Sequence, residues 1–190
     1  MNKLNSPPQS EEKIVSGGLI KIHDLGVLVV GDSGIGKSES ALELVSRGWR
    51  FISDDVTLIK KTGRRVLTGE APKLSRYFME IRGLGVINIK QIFGPESVCR
   101  RAEIHLVINL KKWESGKTYD RLGLKPQEKA TYAGIRRPQI TIPVAPGRNI
   151  ATLIEVACKV YILRKRGYHA PEEISRRLDR ELRIGRRSAE

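Results

Sequence analysis

A glycine-rich turn near the start of the chain limits the fold more than any other feature. Residues 31–38 read Gly-Asp-Ser-Gly-Ile-Gly-Lys-Ser and match the phosphate-loop pattern G-x-x-x-x-G-K-[ST]. The pattern directly follows an apolar run at 25–30 and directly precedes apolar residues at helical spacing in 39–47. A strand, a turn and a helix in this order bring backbone N–H groups and a helix amino terminus to a phosphate. The sequence therefore predicts an α/β fold with a P-loop nucleotide-binding domain.

Each position of this loop has a physical task around a polyphosphate. Glycines let the backbone turn tightly and approach phosphate oxygens without a Cβ in the way. Lys37 supplies a mobile positive charge for the β- and γ-phosphates, and the Ser38 hydroxyl suits Mg²⁺, which prefers oxygen ligands. The sequence thus predicts ATP and Mg²⁺ as cofactors. The predicted nucleotide-binding residues are Gly31, Asp32, Ser33, Gly34, Ile35, Gly36, Lys37 and Ser38.

Length and charge narrow the class of protein. A chain of 190 residues suits one domain with a core of its own. The 35 Lys and Arg residues against 21 Asp and Glu give a net charge of +14, which favours acidic partners. Aromatic residues make up only 5% of the chain, and the basic clusters are dispersed, so nothing resembles a base-stacking surface. Nucleic acid is therefore not the expected partner.

Cysteine usage and hydropathy indicate a cytoplasmic protein. Cys99 and Cys158 have no second Cys or His at metal-ligand spacing, which predicts packed thiols in a reducing compartment. No apolar run approaches the ~20 residues needed to span a bilayer. The first residues also lack the apolar centre of a signal peptide, so we expect no membrane association.

Hydrophobic periodicity predicts a largely β core followed by C-terminal helices. Residues 1–13 are expected to form a flexible lead-in, 14–184 the P-loop domain, and 185–190 a basic tail. The segment 77–88 fits no single template, and the polar stretch 111–133 predicts a working loop. Strands are predicted at 18–22, 25–30, 50–53, 56–60, 65–68, 104–110 and 139–144, and helices at 39–47, 150–166 and 171–183.

Phosphoryl transfer also needs a metal-holding carboxylate and a group that takes the proton of the nucleophile. Asp54 and Asp55 follow the strand at 50–53, where a sheet delivers such groups. Because neighbouring residues on an extended chain point in opposite directions, at most one of the two is expected to face the phosphate directly. Glu80 and Arg82 flank Ile81, so alternation would place a carboxylate and a guanidinium on the same face.

Four stretches together resemble the catalytic domain of bacterial HPr kinase/phosphorylase. They are the phosphate loop at 31–39, the turn at 53–55, the segment 80–88, and the segment 142–149 ahead of 154–157. The resemblance runs from about residue 16 to 180 and implies a P-loop kinase that uses ATP or pyrophosphate. Its acceptor would be a serine of the phosphocarrier protein HPr, and inorganic phosphate would reverse the transfer. The resemblance further implies a hexamer.

The resemblance also implies a role for individual residues. Lys37 would bind phosphate, Ser38 and Glu80 would be linked to the metal, and Asp55 would accept the proton of the acceptor hydroxyl and return it in phosphorolysis. Arg121 matches the catalytic arginine of the family. The predicted catalytic residues are thus Lys37, Asp54, Asp55 and Arg121, and the predicted substrate and dephosphorylation residues are Arg82, Gly83, Gly85, Gly147, Arg148 and Asn149.

Two departures from the family pattern leave alternatives open. The family usually shows a His-Gly pair ahead of the loop, whereas this sequence has Ser16-Gly17, which puts phosphorolysis in doubt more than kinase activity. Family members also carry a further N-terminal domain, and this sequence starts just before the catalytic part, either as a shortened chain or as a naturally short relative. A kinase for a small molecule such as free serine and a catalytically degenerate nucleotide-binding regulatory module remain as alternatives.

Overall fold

A mixed β-sheet crossed by four helices forms the protein in the computed structural model, which describes residues 12–120, 123 and 127–187. In chain order the elements are β1 (Glu12–Ser16), β2 (Gly18–Ile22), β3 (Leu25–Gly31), α1 (Lys37–Ser46), β4 (Arg50–Ser53), β5 (Val56–Thr62), β6 (Val66–Glu70), β7 (Phe78–Ile81), β8 (Gly85–Asn88), α2 (Ile89–Phe93), a 3₁₀ turn (Pro95–Ser97), β9 (Arg101–Lys112), β10 (Lys129–Tyr132), β11 (Ile135–Val144), α3 (Ile150–Lys165) and α4 (Ala170–Arg187). No helix in these described ranges is long and apolar enough to cross a membrane.

The order of the strands decides where the functional groups meet. Strands β3, β9 and β11 run parallel to one another, with β9 in the middle. Strand β2 is antiparallel to β3, and β4 is antiparallel to β2, so β4 again runs parallel to β3. The carboxyl ends of β3, β4, β9 and β11 therefore lie at one edge of the sheet, where α/β proteins bind their ligands.

Two hydrophobic clusters lie on opposite faces of this sheet. The first joins the sheet to α1 and α3 and includes Leu44, Phe51, Leu110 and Ile154. The second lies beneath the antiparallel layer β1, β5 and β6, with Leu19, Ile59 and Leu67 among its fully buried members. Strand β9 serves both clusters because successive side chains point to opposite faces, as Leu106 and Val107 do.

Most of the predicted elements are present, with boundaries that move by a few residues. The predictions for β2 to β6 and for α3 are confirmed, and α1 begins at Lys37, two residues earlier than expected. The prediction of a loop over 111–133 was wrong at 129–132, where β10 pairs with the first half of β11. Glu12 and Lys13, predicted to belong to the lead-in, pair with β5 as the start of β1. The ambiguous segment 77–88 is the hairpin β7–β8, which forms a separate two-stranded sheet.

Candidate active site

The phosphate loop joins β3 to α1 through backbone conformations that only glycine adopts readily. Gly31 and Gly34 have φ angles of 148° and 74°. A Cβ on Gly31 would lie 2.5 Å from the carbonyl oxygen of Leu110, and one on Gly34 would lie 3.3 Å from the guanidinium of Arg82. The loop is therefore fixed on one side by β9 and on the other by the β7–β8 turn.

Lys37 is held inside the curve of this loop. Its side chain is only 7% exposed, and its Nζ donates hydrogen bonds of 2.9 Å to the carbonyl oxygens of Gly31 and Asp32. Gly36 precedes α1 in the left-handed region, and no side chain caps the helix amino terminus. A positive charge and uncapped N–H groups thus converge on the same side of the loop, an arrangement that attracts phosphate.

Asp54 and Asp55 reach the loop because β4 ends beside it. The Ser38 Oγ donates a 3.0 Å hydrogen bond to Asp54 Oδ1, which ties the metal-binding position of the loop to the end of β4. Asp55 adopts a left-handed conformation with φ 51°, so the alternation expected of an extended chain stops here. Asp55 consequently faces the space above the loop, while Asp54 lies below and contacts Ser38.

The two carboxylates differ in their electrostatic surroundings. Burial and the neighbouring Asp55 carboxylate raise the pKa of Asp54 to about 6, although hydrogen bonds from Ser38 and from the backbone of Asp55 and Glu80 partly offset this. An Asp with such a pKa is still mainly ionised at pH 7, but it would lose its charge in mildly acidic solution. A cation next to Ser38 would relieve the repulsion between the two carboxylates.

A cavity of about 220 Å³ opens directly above the loop. Eight of the residues predicted for the site meet in it, on three separate segments of the chain. This volume is below the 300–1,000 Å³ typical of a whole small-molecule pocket, so it suits phosphoryl groups and an acceptor hydroxyl rather than a complete nucleotide. The lining residues are Ser33, Gly34, Gly36, Lys37, Ser38, Glu39, Asp55, Glu80 and Arg82.

The β7–β8 hairpin supplies the wall opposite the loop. Glu80 lies at the end of β7, and Arg82 in the following turn extends over Gly34. Gly83 and Gly85 have φ angles of 87° and 80°, which close the turn between the two strands. Glu80 and Arg82 thus both line the cavity, and Ser38 hydrogen-bonds Asp54 rather than Glu80.

The turn before α3 approaches the loop from a different side. The Oδ1 of Asn149 accepts a 2.7 Å hydrogen bond from the backbone N–H of Thr152 and so caps α3, and its Nδ2 donates a 2.8 Å hydrogen bond to Glu43 on α1. Ile150 lies next to Gly36, where an added Cβ would be 3.1 Å from its Cδ1. Gly147 and Arg148 belong to the same turn, but neither they nor Asn149 line the 220 Å³ cavity.

A second cavity, of about 640 Å³, lies beside β11 and the segment 113–120. Arg148 is one of its lining residues, together with Glu128, whose carboxylate accepts hydrogen bonds from Gln139 and Thr141. It contains none of the phosphate-loop residues, so we place the transfer chemistry in the smaller cavity. Arg121, predicted to be catalytic, lies outside the described residues.

Three features of the site were not predicted from the sequence. Glu39 lines the cavity, and Glu43, one helical turn further along α1, bonds Asn149; their spacing was the available signal. Ser16 pairs with Val56, and the N–H of Gly17 donates a 2.7 Å hydrogen bond to the carbonyl oxygen of Asp55, so the Ser16–Gly17 pair adjoins the site. His23 lies in the turn between β2 and β3, at the end of these strands away from the site. There it packs edge-on against Trp49, and the two ring centroids are 4.5 Å apart.

The donor set fits a magnesium ion bound together with phosphates. Ser38 and Asp54 present adjacent oxygens, and Glu80 lies across the cavity. Within residues 12–120, 123 and 127–187, no three His, Cys, Asp or Glu side chains form a ready metal cage. Mg²⁺ needs none, because it usually keeps several waters and takes one or two protein ligands besides the phosphates of the substrate.

A family model and the sequences of known proteins both match this chain. The family model described as "HPr Serine kinase C-terminal domain" matches residues 9–178. The HPr kinase/phosphorylase of Caldanaerobacter subterraneus subsp. tengcongensis is 44% identical over 168 residues, covering 88% of this chain and 55% of that protein. The corresponding protein of Geobacillus thermodenitrificans is 46% identical over 173 residues, covering 91% and 56%. This chain thus spans just over half the length of these relatives.

A solved structure agrees with the sequence matches. The Hpr(Ser) kinase/phosphatase from Coxiella burnetii is similar with a TM-score of 0.75 and 32% identity, covering 85% of this chain and 98% of that chain. The predicted P-loop fold with its β core and C-terminal helices is confirmed by this match and by the observed elements.

Proposed function

Because the chain belongs to the family of the HPr serine kinase C-terminal domain, we propose that it is the catalytic part of an ATP-dependent, cytoplasmic HPr serine kinase/phosphorylase. One observation carries the proposal: Lys37, Asp55, Glu80 and Arg82 meet in a single cavity above the phosphate loop. The names of the relatives support a protein acceptor over free serine and over a catalytically degenerate regulatory module.

In the kinase direction, the chain's own residues hold the phosphates and move one proton. The loop N–H groups and Lys37 bind the β- and γ-phosphates of ATP, or the corresponding groups of pyrophosphate. Asp55 accepts the proton of the acceptor hydroxyl while the serine oxygen forms its bond to the γ-phosphorus, and the bond from that phosphorus to the bridging oxygen breaks, which releases ADP, or phosphate when pyrophosphate is the donor. Arg82 lies over the loop, where its charge offsets the charge of the transferring group.

Phosphorolysis reverses these steps. Inorganic phosphate attacks the phosphorus of phosphoserine, the bond to the serine oxygen breaks, and Asp55 returns its proton to that oxygen. Ser16, beside Asp55 through the Gly17 hydrogen bond, offers no imidazole to share this proton. We therefore expect phosphorolysis to be the weaker of the two activities.

Ser38, Asp54 and Glu80 would hold the magnesium ion. When bound, Mg²⁺ supplies charge neutralisation of the phosphate oxygens. The hydrogen bond between Ser38 and Asp54 would keep their two oxygens together for the ion.

The surface properties agree with an acidic protein partner and with self-association. Arg176, Arg177 and Arg180 are exposed on α4, and the chain carries a net charge of +14.

Helix α4 also exposes a row of apolar side chains four residues apart, at Ile174, Leu178 and Leu182. Such a row on a solvent-facing helix favours burial against another chain, which supports the hexamer that the resemblance implies.

The forward reaction is tested by incubating the chain with γ-labelled ATP, Mg²⁺ and either HPr or free serine. We expect label on a serine of HPr and none on free serine, as determined by mass spectrometry. Label on free serine alone would establish the small-molecule kinase instead. Absence of label from both would contradict the enzyme proposal and favour the regulatory module.

The reverse reaction is tested with serine-phosphorylated HPr and inorganic phosphate. Phosphorolysis releases pyrophosphate and requires the added phosphate, whereas simple hydrolysis releases phosphate without it. Pyrophosphate formation at a lower rate than the forward transfer is the expected result. Release of phosphate in its absence would show a phosphatase that acts through water.

A further inference from the structure

The outward face of the β7–β8 hairpin is apolar where it borders the cavity. Met79 and Ile81 point inward and are 1% and 7% exposed, which leaves the other residues of β7 on the outer face. On that outer face Phe78 is 42% exposed, and Val86 is 69% exposed. Leu84, at the tip of the hairpin, is 71% exposed. We call Phe78, Leu84 and Val86 the hairpin patch.

The hairpin patch is continuous with the proposed transfer site. Val86 pairs directly with Glu80, and directly paired residues of two antiparallel strands lie on the same face. Leu84 follows Arg82 by two residues in the turn, and its N–H bonds the carbonyl oxygen of Ile81 at 3.0 Å. Since Glu80 and Arg82 line the cavity, these apolar side chains lie next to the place where a protein would insert a hydroxyl.

Basic residues flank the hairpin patch along the chain. Between residues 73 and 90 the chain carries four basic residues and one acidic residue, a local charge of +3. The exposed members on the two sides are Lys73, Arg82 and Lys90. An acidic surface with apolar residues at its centre is the complement of this arrangement.

We propose that the hairpin patch docks a protein acceptor whose target hydroxyl is flanked by apolar side chains and surrounded by acidic ones. This inference rests on the proposed kinase function and adds the surface that selects a protein over a free amino acid. The patch contributes affinity for the acceptor and leaves nucleotide binding to the loop. Its removal therefore raises KM for the acceptor without changing kcat greatly.

The test compares two double variants with the unaltered chain, using HPr as acceptor. Leu84→Ser with Val86→Thr removes apolar surface from the hairpin patch while Thr keeps the branched shape suited to β8. Val156→Ser with Leu163→Ser removes a similar amount from exposed positions on α3, which are 48% and 42% exposed. The readouts are KM and kcat for HPr, affinity for a fluorescent ATP analogue, and molar mass by light scattering.

We expect the hairpin variant to raise KM for HPr at least ~10-fold with nucleotide affinity unchanged, and the α3 variant to behave as wild type. A catalytic efficiency within about twofold of wild type would overturn the docking inference alone, with the kinase function intact. A change in molar mass with loss of nucleotide affinity would instead assign the hairpin patch to contacts between copies of the chain. Failure of the unaltered chain to label HPr would overturn the inference together with the function on which it rests.

Discussion

Asp55 combines an unusual backbone conformation with a central position in the cavity. Its left-handed φ of 51° turns the chain so that the carboxylate lines the cavity while Asp54 bonds Ser38. Asn adopts this region more readily than most residues, so Asp55→Asn removes the proton acceptor with little change of backbone. It is therefore the most informative single substitution in the site.

We expect Asp55→Asn to lower the rate of transfer to HPr by at least ~10² while affinity for ATP is retained. The loss follows from removal of the group that takes the hydroxyl proton. Steady-state transfer and fluorescence titration with an ATP analogue measure the two quantities. Unchanged transfer would remove Asp55 from the mechanism, and loss of both would indicate a folding defect.

The ionised carboxylate of Asp54, beside Ser38, lowers the stability of the folded protein. Its pKa is raised from 3.8 to about 6, so folding favours its protonated form. The resulting penalty on the free energy of unfolding is present above about pH 6 and disappears below about pH 4. Since the shift is close to two pKa units, the penalty at neutral pH is on the order of 1–3 kcal/mol.

Asp54→Asn should therefore stabilise the protein at pH 7.5 and leave it almost unchanged at pH 4. We expect a rise in Tm of roughly 2–8 °C at the higher pH, because the amide needs no solvation of a charge and still accepts the bond from Ser38. Calorimetry at both pH values measures the difference. Asp24→Asn is the control, since the Asp24 side chain is fully exposed. A Tm gain equal at both pH values would contradict the assigned cause.

Helices α1 and α3 are joined by a group of polar side chains behind the phosphate loop. Arg47 donates to Glu43, to Glu155 at 3.2 Å and to Thr152 at 2.9 Å. Glu43 also receives the 2.8 Å hydrogen bond from Asn149. Of the two glutamates, Glu43 contacts the turn at 147–149 through Asn149, whereas Glu155 bonds Arg47 and Lys159.

This difference predicts that Glu43→Gln impairs the reaction and that the matched substitution Glu155→Gln does not. Glu43→Gln should lower phosphorolysis roughly tenfold and the kinase rate less, because the turn next to Gly36 shifts relative to the loop. Glu155→Gln removes the same charge from the same group and should leave both rates within about twofold of wild type. Thermal unfolding of both variants controls for stability. Equal rates in the two variants would show that the bridge is merely structural.

The elements that the sequence predicted well are those with a strong local signal. The phosphate loop, β3 and α1 follow from one motif, and α3 follows from its apolar spacing. Strand β10 has no such signal, because its four residues are half exposed and, among the described strands, it pairs with β11 alone. The β7–β8 hairpin was ambiguous because its outward face is apolar as well, which removes the alternation that marks a half-buried strand.

The sequence predicted the members of the candidate site better than their contacts. Lys37, Asp55, Glu80 and Arg82 were singled out and do meet in one cavity. The hydrogen bond between Ser38 and Asp54 depends on β4 lying two strands away from β3 with β2 between them, an order that local sequence does not encode. The contact of Gly17 with Asp55 likewise requires β1 to pair with β5.

At the scale of the whole molecule, the positive charge is spread over several surfaces. The net charge is +14, but Arg176 and Arg180 lie on α4 while Arg64 and Arg65 lie at the tip of the β5–β6 hairpin. A general attraction for an acidic protein would depend on the total charge and fall with ionic strength. A docking role for α4 would depend on which arginines are present.

Two charge reversals of equal size separate these effects. Arg176→Glu with Arg180→Glu and Arg64→Glu with Arg65→Glu each lower the net charge from +14 to +10. We expect the α4 pair to lower kcat/KM for HPr at least ~10-fold and the hairpin-tip pair about twofold, because docking adds to long-range steering only at α4. Both effects should shrink between roughly 50 and 500 mM salt, because the screening length is ~10 Å at 0.1 M and becomes shorter as the salt concentration rises. Equal losses in the two variants would reduce the role of α4 to its share of the total charge.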